Sequence, residues 1–137
     1  MIALRRHPAR LAAAGIDEAR YTELKAICRQ YRAYKRQLED ARAGIVDRAE
    51  GRNRAWHRPD PTGNAAMALA DHPAARRVKL IEDCAAAVAE PVVAGALIRS
   101  VTEGAPYYAL RPPCGDKQFY VLRQLFFIEL DRRLWSM

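Results

Sequence analysis

The segment from about Asp116 to Leu134 constrains the fold more than any other part of the chain. Its residues Phe119, Phe126 and Leu130 recur at helical spacing and form one apolar stripe. Further apolar residues lie on both sides of that stripe, so the apolar surface is wider than that of an ordinary amphipathic helix. Such a helix must be enclosed by other helices or lie at an interface. The 137 residues suit one domain, or one domain with an arm.

The rest of the chain has helical spacing interrupted by proline and glycine, and no stretch alternates convincingly like a strand. A first helix is predicted from about Asp17 to Arg42, with a stop at Gly44. Later helices are predicted at about 64–70, 74–89, 91–103 and 116–134. The sequence therefore predicts an all-α fold: a helical bundle with a long N-terminal helix and a C-terminal helix-turn-helix.

Three regions follow from this order of elements. Residues 1–43 hold the N-terminal basic helix, and residues 1–15 within them are expected to be an ordinary, loose N-terminus. Residues 44–64 are predicted to be a basic linker, because they combine prolines and glycines with four arginines. Residues 65–137 form the helical domain, with the helix-turn-helix at about 92–135.

The net charge of +7 indicates a polyanionic partner, most often nucleic acid, although simple solubility would also explain it. The charge is uneven along the chain. Residues 1–60 carry 14 Lys and Arg against 8 Asp and Glu, whereas residues 95–137 carry 6 against 4. The N-terminal half would therefore supply most of the nonspecific attraction to a polyanion.

Signals for catalysis are weak. The cysteines Cys28, Cys84 and Cys114 are far apart and lack the CxxC spacing of zinc or redox sites. No phosphate-binding glycine motif is present, and no histidine has metal-ligand spacing. We expect no enzyme, catalytic residue, metal or cofactor. Without a secretory signal or a membrane-length apolar run, we expect a cytoplasmic protein with no membrane partner.

The stretch from Leu97 to Leu134 has the order of a helix-turn-helix: a helix that stops at Gly104, a very short second helix, a turn and a long helix. In such a motif the last helix enters the DNA major groove N-terminus first. The residues expected to contact double-stranded DNA are Arg111, Lys117, Gln118, Tyr120 and Arg123. The alternative is a plain helical bundle whose last helix is core.

The run VTEGAPYYALRPPCGDKQFYVLRQLFFIEL resembles the C-terminal helix-turn-helix of small phage-encoded transcriptional regulators of the RinA and ArpU type. That part of those proteins is similar to sigma-factor region 4. The resemblance implies a phage or prophage DNA-binding transcriptional regulator that acts on phage promoters or with host RNA polymerase. The sequence departs from the family pattern where Gln124 follows Arg123 and where Asp116 begins the recognition helix.

Two other functions stay open at this point. The apolar residues Phe126, Phe127, Ile128 and Trp135 would suit a protein-interaction module acting on host RNA polymerase or a sigma factor. A small terminase-like packaging protein would also be helical and bind DNA. The sequence leaves a homodimer open as well.

Overall fold

A computed structural model of the chain describes residues 7–53 and 71–136. These residues form helices and turns with no strand among them, so the predicted all-α fold is confirmed. Their seven helices are α1 Ala9–Ala13, α2 Glu18–Arg29, α3 Tyr31–Asn53, α4 Pro73–Val88, α5 Pro91–Glu103, α6 Tyr107–Leu110 and α7 Asp116–Trp135. None of the described helices is both long and apolar enough to cross a lipid bilayer.

The chain divides into two compact units, one of residues 1–30 and 80–137 and the other of residues 31–79. The stop predicted at Gly44 is wrong, because α3 continues through this glycine to Asn53. A glycine inside a helix costs only about 1 kcal/mol, so it does not end a helix by itself. The rest of the predicted linker and the helix predicted at 64–70 lie outside the described residues.

The predicted first helix is in fact two helices that meet at Gln30. The start near Asp17 is as predicted: Asp17 is the N-cap of α2, and its carboxylate accepts a hydrogen bond from the Arg20 amide at 2.7 Å. At Gln30 the backbone stays in the right-handed region, with φ −86° and ψ −3°, but its amide donates to the Ile27 carbonyl three residues back, and α3 begins at the next residue. Gln30 is neither glycine nor proline, so residue type carries no signal for this break.

Helix α7 organises the first unit, where it contacts α1, α2 and α5. Phe126 and Phe127 are completely buried, and Tyr21 of α2 meets Phe127 edge-on with ring centroids 5.1 Å apart. Arg20 Nε donates to Asp131 Oδ1 at 2.6 Å, which joins α2 to α7 across 111 residues of sequence. The most deeply buried side chains of this unit are Leu11, Ile16, Leu24, Cys28, Ile81, Cys84, Leu97, Phe126, Phe127 and Leu130.

Both ends of α5 match the sequence prediction. The Glu90 carboxylate accepts hydrogen bonds from the amides of Val92 and Val93, and Pro91 fills the first helical position. At the other end Gly104 adopts the left-handed conformation, with φ +71° and ψ 20°. A β-carbon at Gly104 would lie 3.0 Å from Arg29 Nη1. Gly104 therefore ends α5 both by its backbone conformation and by leaving room for Arg29.

Replacing glycine by alanine should have opposite effects on stability at Gly95, inside α5, and at Gly104, just after its end. Gly104→Ala should lower the free energy of unfolding by about 1–2 kcal/mol, because alanine is strained at positive φ. Gly95→Ala, in the middle of the helix with nothing within 4 Å of an added β-carbon, should raise it by about 0.5–1 kcal/mol. Urea denaturation followed by circular dichroism measures both values. Equal effects of the two substitutions would contradict this account.

Candidate nucleic-acid interface

Helix α6 and the turn after it determine where α7 begins. The ring of Tyr107 lies 5.7 Å from the ring of Phe119, and its hydroxyl donates to the Cys114 carbonyl. Pro112 is buried in the same turn, and its carbonyl accepts from the Cys114 amide at 2.8 Å. The connection between α5 and α7 is therefore held by packing and by hydrogen bonds, which fixes the start of α7 at the surface.

Arg111 follows α6 with a backbone conformation that is unusual for arginine. It has φ +46° and ψ 54°, and its amide donates to the Tyr107 carbonyl at 2.9 Å. Left-handed geometry costs a residue with a β-carbon about 1–2 kcal/mol. The Arg111 side chain is exposed and forms no ion pair with any residue that the structure describes. The strained backbone thus presents an unneutralised guanidinium next to α7.

The first turn of α7 exposes Lys117 and Gln118 beside the buried ring of Phe119. Successive helical residues are about 100° apart, so Lys117 lies on the side of α7 opposite Phe119 and Gln118 lies between them. Asp116 stabilises the N-terminal end of α7, because its carboxylate accepts a hydrogen bond from the Lys117 amide at 2.8 Å. Lys117 and Gln118 can therefore meet an incoming ligand while Phe119 anchors the helix.

Arg123 lies about 120° round α7 from Lys117, on the side that also carries Phe127 and faces α2, and Tyr120 lies between Arg123 and Lys117. Tyr120 is 52% exposed, but Arg123 is partly covered, and its Nε is buried without a hydrogen-bond partner. Burial raises the pKa of the Tyr21 hydroxyl, and the positive charge of Arg123 partly offsets that rise. Of the residues on α7 that the sequence predicts to contact DNA, Lys117, Gln118 and Tyr120 are exposed, whereas Arg123 is half-buried.

The N-terminal segment is the part of this region that the sequence interpretation missed. Residues 1–15 were expected to be loose, yet α1 packs on α7 through the fully buried Leu11. Arg10 Nε donates to Gln124 Oε1 at 3.1 Å, which places a cation against α7. The available signal was local: Pro8 and Gly15 bracket a short run that contains one large aliphatic residue.

The apolar residues that favoured a protein-interaction module have divided roles. Phe126 and Phe127 are core, since 0% and 1% of their surface is exposed. Ile128 is half-buried, and Trp135 is exposed with Arg20 5.4 Å from its ring centroid. Most of the apolar excess of α7 therefore stabilises the first unit and does not form a docking surface.

Groups for catalysis or metal binding are sparse in the described part of the chain. No three His, Cys, Asp or Glu residues within it are grouped so that they could hold a metal ion. Burial raises the pKa of the Cys28 and Cys84 thiols to about 12, so neither is a thiolate near neutral pH. Cys114 is only half-buried.

Comparisons with known proteins add no family to this picture. No protein-family model, curated protein or solved structure matches the chain. The resemblance to phage regulators therefore stays a prediction that is based on the residues quoted for it. The case for a function depends on the geometry of α5, α6 and α7.

Thiol reactivity follows from the burial of the cysteines. In the native protein at pH 8, Ellman's reagent should modify Cys114 much faster than Cys28 and Cys84, because only thiolates react and the two buried thiols stay protonated. All three should react quickly in guanidinium chloride. Cys114→Ser is the control, and it should abolish the fast phase. A fast phase that persists in this variant would show that a buried thiol is reactive.

Proposed function

We propose that the protein binds double-stranded DNA through the first turn of α7 and that it is a phage or prophage transcriptional regulator. The observation that carries this proposal is the exposure of Lys117 and Gln118 on a helix start that Phe119 and Tyr107 hold in place. A helix that presents its N-terminal residues in this way suits the major groove, which admits an α-helix end-on.

The chemistry of the exposed residues fits DNA. Lysine hydrogen-bonds the acceptor atoms of guanine, and glutamine pairs with the N6 and N7 atoms of adenine. Arg111 at the preceding turn offers a guanidinium for the phosphate backbone. Lys117 and Arg111 have no ion-pair partner among the described residues, so contact with DNA would not require a salt bridge to break.

The charge of the chain supports the same partner. Residues 1–60 hold most of the excess of Lys and Arg over Asp and Glu. In the second unit, Arg32, Lys35 and Arg36 of α3 are exposed. Cations of this kind attract DNA of any sequence through release of its counterions. We assign nonspecific attraction to such residues and sequence discrimination to α7.

Lys117→Ala should weaken binding several-fold, because it removes one contact to the groove. Duplexes selected from a random pool and fluorescence anisotropy at low salt provide the assay. Gln118→Ala should relax discrimination at one base pair, by about 1–3 kcal/mol. The matched control is Arg132→Ala, which removes an equal charge from the same helix about 22 Å away. Absence of duplex binding by the wild-type protein at low salt would reject the function.

Arg111→Gly separates binding from stability. Glycine accepts φ +46° without strain. The free energy of unfolding of this variant should therefore be about 1 kcal/mol higher than that of the wild type. It should also bind DNA several-fold more weakly, because the guanidinium is gone. Thermal melts and anisotropy on the same samples test both effects. A variant that is more stable and binds DNA as tightly as the wild type would remove Arg111 from the interface.

A further inference from the structure

A cluster of cations and aromatic rings lies where α2 meets the first half of α7. Its centre is Tyr21, which is half-buried between the two helices. Lys25 Nζ lies 4.4 Å from the centroid of the Tyr21 ring, and the His7 ring lies 5.8 Å from it. We call Tyr21, Lys25, Tyr120 and Arg123 the Tyr21 cluster, because Tyr120 and Arg123 lie on the side of α7 that carries Phe127, the residue that Tyr21 contacts.

The positive charge of this cluster is not neutralised by the described part of the chain. Neither Lys25 nor Arg123 forms an ion pair there, and Arg123 Nε is buried with no acceptor. The nearby carboxylates serve other arginines: Glu23 and Asp131 both bind Arg20. Arg123 Nε is enclosed by protein, but the side chain is only half-buried and its two Nη groups are not enclosed in this way, so an anion can meet the guanidinium there.

The cluster lies at the right position to meet the DNA backbone. Arg123 is six residues after Lys117, which is about 9 Å along the α7 axis and about 120° round it. The major groove is about 12 Å wide, so a helix inside it brings one flank against a phosphate strand. The flank of α7 that carries Arg123 is widened by α2, which adds Lys25 to the same surface.

We propose that the Tyr21 cluster binds a phosphodiester of the DNA backbone, with Arg123 and Lys25 as the charged contacts and Tyr21 as the ring against which Lys25 rests. This inference depends on the proposed function and deepens it. It changes the role of Arg123 from reading a base to holding the backbone. It also makes α2 part of the DNA-binding surface, which fixes how far α7 enters the groove.

A phosphate contact and a base contact respond differently to salt and to sequence. Arg123→Met and Lys25→Met keep most of each side-chain stem and remove its charge. Each should weaken binding about tenfold at 0.1 M salt and reduce the slope of log K against log salt by about 0.9. The loss should be equal for a selected duplex and for a scrambled one, whereas Gln118→Ala should affect the selected duplex only.

The control variants are Arg132→Met, which should not change affinity, and Lys25→Arg, which should restore it. Circular dichroism and thermal melts confirm that each variant folds. A Lys25→Met and Arg123→Met pair with unchanged affinity and salt slope would overturn the inference. A loss confined to the selected duplex would overturn it as well, because Arg123 would then read a base.

Nitrogen-15 NMR of the arginine side chains provides an independent measurement on the wild-type protein. Addition of a duplex should shift the Nε–Hε resonance of Arg123, because a phosphate at the Nη groups changes the electronic environment of the whole guanidinium. If the backbone amide of Lys117 shifts while Arg123 Nε–Hε does not, the phosphate contact is wrong and DNA binding by α7 stands. If no resonance shifts, the proposed function fails together with the inference.

Discussion

The first unit depends on the burial of two adjacent residues of one helix, Phe126 and Phe127. Neighbouring positions on a helix point about 100° apart, so both rings are covered only if α7 has partners on two sides. Helix α5 and the pair α1 and α2 supply those partners. Each buried ring contributes about 1.5–3 kcal/mol. The start of α7, where Lys117 and Gln118 are exposed, extends beyond this enclosure, and this is where the candidate interface lies.

The helix class and several boundaries could be predicted because they depend on local chemistry. Pro91 and Gly104 act on the residues next to them and bound α5 as expected, and Glu90, which the sequence prediction did not name, caps the start of the helix. The break at Gln30 and the continuation of α3 through Gly44 were not predicted, because neither depends on the chemistry of the residue at that position. A glycine is tolerated in a helix when the stabilisation from the neighbouring helical residues exceeds its free-energy cost. A helix can also break at a residue that is neither glycine nor proline.

The exposure of the first turn of α7 could be predicted from the sequence, but the surroundings of Arg123 could not. The apolar phase of Phe119 and Phe126 indicates which way Lys117 and Gln118 face, because all four belong to one helix. The position of Arg123 depends on a helix that lies about 100 residues earlier in the chain. Periodicity along α7 does not contain that information, so the partial burial of Arg123 beside α2 could not be predicted from the sequence.

The hydrogen bond between Arg20 and Asp131 spans 111 residues, and this separation has a consequence during protein synthesis. A ribosome adds about 5–20 residues per second, so α2 waits on the order of 10 s before α7 exists to cover it. During that interval the apolar residues Leu24 and Cys28, completely buried in the folded protein, lack the last helix as a partner.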